Sequence, residues 1–137
     1  MNDVLLNKKV SIERCIQQIQ NYYHLESELP FQQDYMKQDA IAINLQRIAE
    51  LAIDMAAYLI KREKLGLPQD SKDHFRLLEK AQIIPQELSQ KCQNMVGFRN
   101  ILVHEYQELD LDLMQDVIEH HLTDLIDYSD FILKRVP

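Results

Sequence analysis

Residues 34–65, DYMKQDAIAINLQRIAELAIDMAAYLIKREKL, run without a glycine or a proline. Within them Ile41, Leu45, Ile48, Leu51, Ala52, Met55 and Leu59 recur at three- and four-residue steps, which puts them on one face of a helix. At 1.5 Å per residue that helix would be about 46 Å long. In a chain of 137 residues it is expected to form the spine against which everything else packs. Gly66 and Pro68 then read as its stop, the glycine taking a left-handed cap and the proline unable to continue.

Working outward, Ile12, Cys15, Ile16, Ile19, Tyr22 and Tyr23 make a second apolar stripe over about residues 4–28, broken at Leu29-Pro30 because the residue before proline avoids the helical region. After the stop, Ser71 is expected to cap a short helix carrying Phe75, Leu77 and Leu78. Pro85 suits the first turn of a helix running through Leu88, Cys92, Met95 and Val96. Asp110 is expected to cap a last helix whose apolar positions extend from Leu113 to Ile132. Four substantial amphipathic helices and one short one predict an all-α, antiparallel four-helix bundle, and the length predicts a single domain over residues 1–137.

Composition narrows the function. With Gly 2 and Pro 4 there is no material for an all-β fold or a glycine-rich phosphate loop. Cys15 and Cys92 stand far apart, which speaks against a disulfide framework and fits a reducing cytoplasm. The apolar run Leu51–Ile60 is interrupted by Asp54 and is too short to span a bilayer. The net charge of −7 counts against a protein that coats nucleic acid, yet it is local. Residues 1–100 carry 13 acids and 13 bases, while residues 101–137 hold nine acids against Lys134 and Arg135.

The usual chemistry of bundle cores is missing. None of the five histidines follows a glutamate by three residues, as a di-iron site requires, and His120-His121 points two imidazoles to different faces. No metal and no cofactor are therefore expected. The informative stretch is Gly97-Phe98-Arg99-Asn100-Ile101-Leu102-Val103-His104-Glu105-Tyr106. Asn100 and His104 are four apart and share a face. Arg99 and His104 diverge by about 140° at 100° per residue.

Arg99-Asn100-x-x-x-His104 resembles the motif of the HEPN superfamily of small helical ribonucleases, and the string Val96–Tyr106 is similar to the HepT (DUF86) toxins of HepT/MntA toxin–antitoxin systems. The segment Asp39–Asp54, the helix order and the acidic stretch after Tyr106 are similar as well, so the resemblance covers most of the chain. It implies a metal-independent endoribonuclease acting on an RNA substrate, with Arg99, Asn100 and His104 catalytic. Imidazole suits proton transfer, arginine suits a bidentate grip on phosphate, and Asn100 orients one or the other. It also implies a homodimer with the site at the interface, since one chain supplies one acid–base group where the reaction wants two. In such toxins the tyrosine of His-x-Tyr, here Tyr106, receives AMP from a nucleotidyltransferase antitoxin of the MntA type, and added phosphate there would repel RNA.

Alternatives stay open at this point. The chain is then a non-catalytic helical partner of a small nucleotidyltransferase, Arg99 and His104 are a scaffold or capping pair, and Tyr106 packs at a helix end. Lys61, Arg62 and Lys64 complement a helix dipole or line an RNA path. The acids after Tyr106 dock a basic antitoxin surface or solvate a helix face.

Overall fold

The computed structural model describes residues 2–136, and its regular elements are all helical. Helix α1 spans Asp3–His24, α2 Tyr35–Glu63, α3 Ser71–Lys80, α4 Gln86–His104, α5 Leu111–His120 and α6 Leu122–Arg135. Single 3-10 turns occur at Phe31–Gln33 and Tyr106–Glu108.

Helix starts have local causes. The side chains of Asn2, Asp34, Asp70 and Asp110 each accept a backbone N–H from the first turn that follows, satisfying donors a helix leaves free. The cap of α3 is thus Asp70, with Ser71 the first helical residue, so the helix starts one position earlier than the sequence suggested. Pro85 likewise precedes α4 as its cap residue, at φ −72° and ψ 157°, rather than lying in its first turn.

Helix α2 is the spine. It buries Ile41, Leu45, Ile48, Ala52, Met55 and Leu59, and α1, α3, α4 and α6 all pack on it. Direction follows from the cross-links. Asn2 and Lys8 near the start of α1 reach Tyr58 (2.7 Å) and Asp54 (3.5 Å) near the end of α2, so the two are antiparallel. Arg99 and then Tyr106 meet Glu50 and then Asp39, so α4 also runs against α2. Tyr128 donates to the Ala52 carbonyl (2.7 Å) and Arg135 to Glu63 (2.7 Å), so α6 runs with α2. Four strands of helix alternating in direction make the expected bundle, with α3 as its short extra member.

Two departures have physical reasons. The left-handed residue that ends α2 is Lys64, at φ 56°, two positions before Gly66. Leu65 then donates to the Ile60 carbonyl (3.0 Å) and folds onto the core, the paired hydrogen bond and apolar contact of a Schellman end. The last helix is also divided. His121 stands between α5 and α6, its N–H still bonded to the Val117 carbonyl (3.0 Å), its ring between Asp116 (3.2 Å) and Asp124 (3.1 Å). His120 is exposed, so the two neighbouring imidazoles do part company.

The core is one cluster of buried aliphatic residues with Phe75 and Tyr128 edge-to-face at 5.5 Å, and it includes Cys15, Cys92, Met55, Met95 and Met114. Met55 is fully buried. Met55→Ala is expected to lower unfolding free energy by about 2–5 kcal/mol through lost transfer and a residual cavity, measured by urea denaturation monitored at the helical circular dichroism band.

Candidate active site

Helix α4 sorts its last turns by face. Phe98 and Leu102, four apart, are buried in the core, and Asn100 and His104, also four apart, are exposed together. Arg99 leaves on the side of α2 and α3. Its Nη2 donates to Ser71 Oγ (3.2 Å) and its Nη1 lies 3.9 Å from Glu50 Oε1, while the side chain is 18% exposed. Its Nε is buried without a partner. Arg99 and His104 of one chain are therefore not brought together, as the helical angle between them required.

Helix α4 ends at His104 without glycine or proline. Glu105 closes it through a bond to the Ile101 carbonyl (2.8 Å), and the following 3-10 turn is pinned by Leu109 and Leu111, which pack on the core. That anchoring fixes where Tyr106 stands. Its hydroxyl donates to Asp39 Oδ1 on α2 at 2.6 Å, and the residue is 38% exposed. Burial first, then the hydrogen bond and charge of Asp39, push the phenol well above its ordinary ionisation range.

The two ties from α4 to α2, at Glu50 and Asp39, are separated by eleven residues, or about 16 Å of helix. The exposed face of α2 between them carries Ile43, and Val103 and Met36 are exposed beside the same seam by helical spacing. A polar groove of about 490 Å³ between α1 and α2 adjoins Glu50 and carries Arg14 and Arg47. The Lys61, Arg62 and Lys64 group lies at the other end of α2, about 33 Å from Asp39 along the axis. Among the described residues no three His, Cys, Asp or Glu side chains gather where a metal ion could be held.

Asp39, Glu50 and Ser71 were not read from the sequence as site residues. Asp39 and Glu50 do sit in the Asp39–Asp54 segment, as two of its three acids, but nothing in their spacing sets them apart from the other polar residues of α2.

The helical bundle sets the Arg-x4-His stretch at the end of α4 beside the acids Asp39 and Glu50 of α2. Residues 12–132 match the family described as Ribonuclease HepT-like, and the chain belongs to that family. An mRNA nuclease HepT of Shewanella oneidensis is 46% identical over 132 residues, which cover 96% of this chain and 98% of that protein. A solved structure of a tri-AMPylated Shewanella oneidensis HEPN toxin in complex with MNT antitoxin is similar at a TM-score of 0.91 and 45% identity, covering 98% of this chain and 99% of that one. A toxin–antitoxin structure with AMP-PNP is similar at a TM-score of 0.90 and 45% identity, covering 96% and 99%. The resemblance read from Val96–Tyr106 is thus the kinship of nearly the whole chain.

Because the folded phenol of Tyr106 holds its proton above the pH at which an unfolded tyrosine loses it, about 10, its contribution to stability is present below that pH. It is lost as pH rises through the folded value. Thermal midpoints measured from pH 9 upward are expected to fall less steeply for Tyr106→Phe than for the wild type.

Proposed function

We propose that the chain is a metal-independent endoribonuclease toxin that works as a two-fold dimer and is silenced when a nucleotidyltransferase antitoxin adds AMP to Tyr106. The observation that carries this reading is kinship with the HepT-like ribonucleases over residues 12–132, with Arg99 and His104 at the end of α4. The relative solved tri-AMPylated and in complex with MNT antitoxin supports the partner and the modification.

The chemistry needs two proton carriers and one anion clamp. An imidazole takes the proton of the RNA 2′-hydroxyl, and the 2′-oxygen attacks the adjacent phosphorus. The bond from phosphorus to the 5′-oxygen breaks as a second, protonated imidazole gives that oxygen its proton. The products are a 2′,3′-cyclic phosphate and a 5′-hydroxyl. Arg99 holds the phosphate oxygens, where charge builds, by two parallel N–H donors. Each chain offers one exposed His104, and its own Arg99 points elsewhere on α4. A two-fold axis past the α2–α4 seam supplies both histidines and lets each arginine serve across chains, and the exposed Met36, Ile43 and Val103 are apolar area for that contact. Asn100 lies one turn before His104 on the same exposed face and orients the imidazole or the phosphate. Tyr106, two residues further, is placed so that an added phosphodiester puts negative charge at the mouth of the same site.

The test is cleavage of RNA by purified protein with divalent metal chelated. Wild type is expected to leave 2′,3′-cyclic phosphate ends. His104→Ala, at an exposed position where folding is spared, is expected to lose at least about 100-fold in rate. Arg99→Lys is expected to lose rate too, since an ammonium cannot reproduce the fork. A His104→Ala protein that cuts at the wild-type rate would sink the assignment, and loss of wild-type activity on chelation would sink its metal independence. A wild-type chain that accepts AMP but never cuts RNA would instead be a non-catalytic partner of the transferase.

A further inference from the structure

We propose that Asp39 is the proton acceptor for nucleotidyl transfer to Tyr106, so that the chain supplies part of the machinery of its own modification. This rests on the reading of Tyr106 as the AMP acceptor.

The geometry is specific. The Tyr106 hydroxyl donates to Asp39 Oδ1 at 2.6 Å, within the range of an O–H donor on an ionised carboxylate, across 67 residues of sequence. Both ends are held. Asp39 lies in the second turn of α2, which begins at the Asp34 cap, and Tyr106 is fixed by the core contacts of Leu109 and Leu111. Among the described residues no cation lies within salt-bridge distance of Asp39, so its carboxylate is free to take a proton. The tyrosine side chain is partly exposed, which leaves the phenolic oxygen approachable from solvent by a nucleotide carried on another protein.

Burial and the neighbouring carboxylate keep the phenol protonated through the neutral range. Phenolate does not form ahead of reaction, and the proton has to leave as the oxygen attacks. The oxygen bonds to the α-phosphorus of a nucleoside triphosphate held by the antitoxin, and the bond from that phosphorus to the pyrophosphate oxygen breaks. Pyrophosphate departs with the electron pair, and the phenolic proton passes to Asp39, which later releases it to water. Once the oxygen is esterified it has no hydrogen to give Asp39. The anionic phosphodiester and the recovered carboxylate then repel, which drives the tyrosyl group off α2 and toward the cleft.

The experiment follows transfer of label from ATP marked on the α-phosphate, using the full chain and a nucleotidyltransferase antitoxin of the MNT class. Turnover and half-saturating chain concentration are measured separately. Asp39→Asn keeps shape and a hydrogen-bond partner but is a poor base, and its turnover is expected to drop about 100-fold or more with little change in half-saturation. Asp39→Glu, which keeps a carboxylate, is expected to stay within about tenfold of wild type. Wild-type turnover in Asp39→Asn would mean that the antitoxin takes the proton and would overturn the proposal. So would an effect on half-saturation alone, which marks a docking contact, or an Asp39→Glu chain as slow as Asp39→Asn. Tyr106→Phe separates the two levels. Loss of labelling there with normal labelling of Asp39→Asn leaves Tyr106 as acceptor and removes only Asp39, whereas persistent labelling removes the acceptor reading itself.

Discussion

Twelve side chains of α2 are buried, and they account for the placement of every other long helix. A helix this long in so short a chain has to be covered along its whole length, and antiparallel α1 and α4 together with parallel α6 achieve that. Once α1 and α6 occupy one side, α4 is left to run against α2 on the other. The direction of α4 then decides which of its residues meet which residues of α2. Arg99 falls opposite Glu50, and the turn after His104 falls opposite Asp39. The arrangement of the candidate site is in this sense a by-product of covering the spine.

The uneven charge of the chain takes on a different aspect in three dimensions. Several of the acids that concentrate after Tyr106 have partners inside the molecule. Asp116 and Asp124 flank the imidazole of His121, Asp124 also faces Lys91, and Glu119 accepts from Tyr23. Asp110 caps α5. The stretch is therefore as much a set of helix-end and inter-helix ties as a free acidic face. On the other flank, Arg14 and Arg47 share a groove on the α1–α2 side, away from the acidic helices.

The helices were legible because their apolar residues repeat with the helical period, and the residues of Val96–Tyr106 were legible because they are contiguous. What escaped notice is what period and proximity do not encode. The division at His121 is invisible in the pattern, since Val117, Ile118, Leu122 and Leu125 are all buried and continue the spacing straight through the break. Lys64 takes the left-handed turn because Leu65 must reach the core, a tertiary demand that outweighs the local preference for Gly66. The partners of Arg99 and Tyr106 lie 28 to 67 residues away in sequence, and only the packing of α2, α3 and α4 brings them within reach.

The unpartnered Nε of Arg99 bears on how that side chain would come into use. In its observed position the guanidinium has surrendered water around one nitrogen without gaining a bond in return, which leaves it short of a full set of partners by something like 1–3 kcal/mol. Its remaining ties are one neutral hydroxyl and one half-exposed carboxylate at the edge of ion-pair range. A resting place so incompletely satisfied is shallow. If Arg99 grips the phosphodiester as proposed, swinging out toward it would require little to be given up, and most of the attraction between arginine and phosphate would be left over for binding.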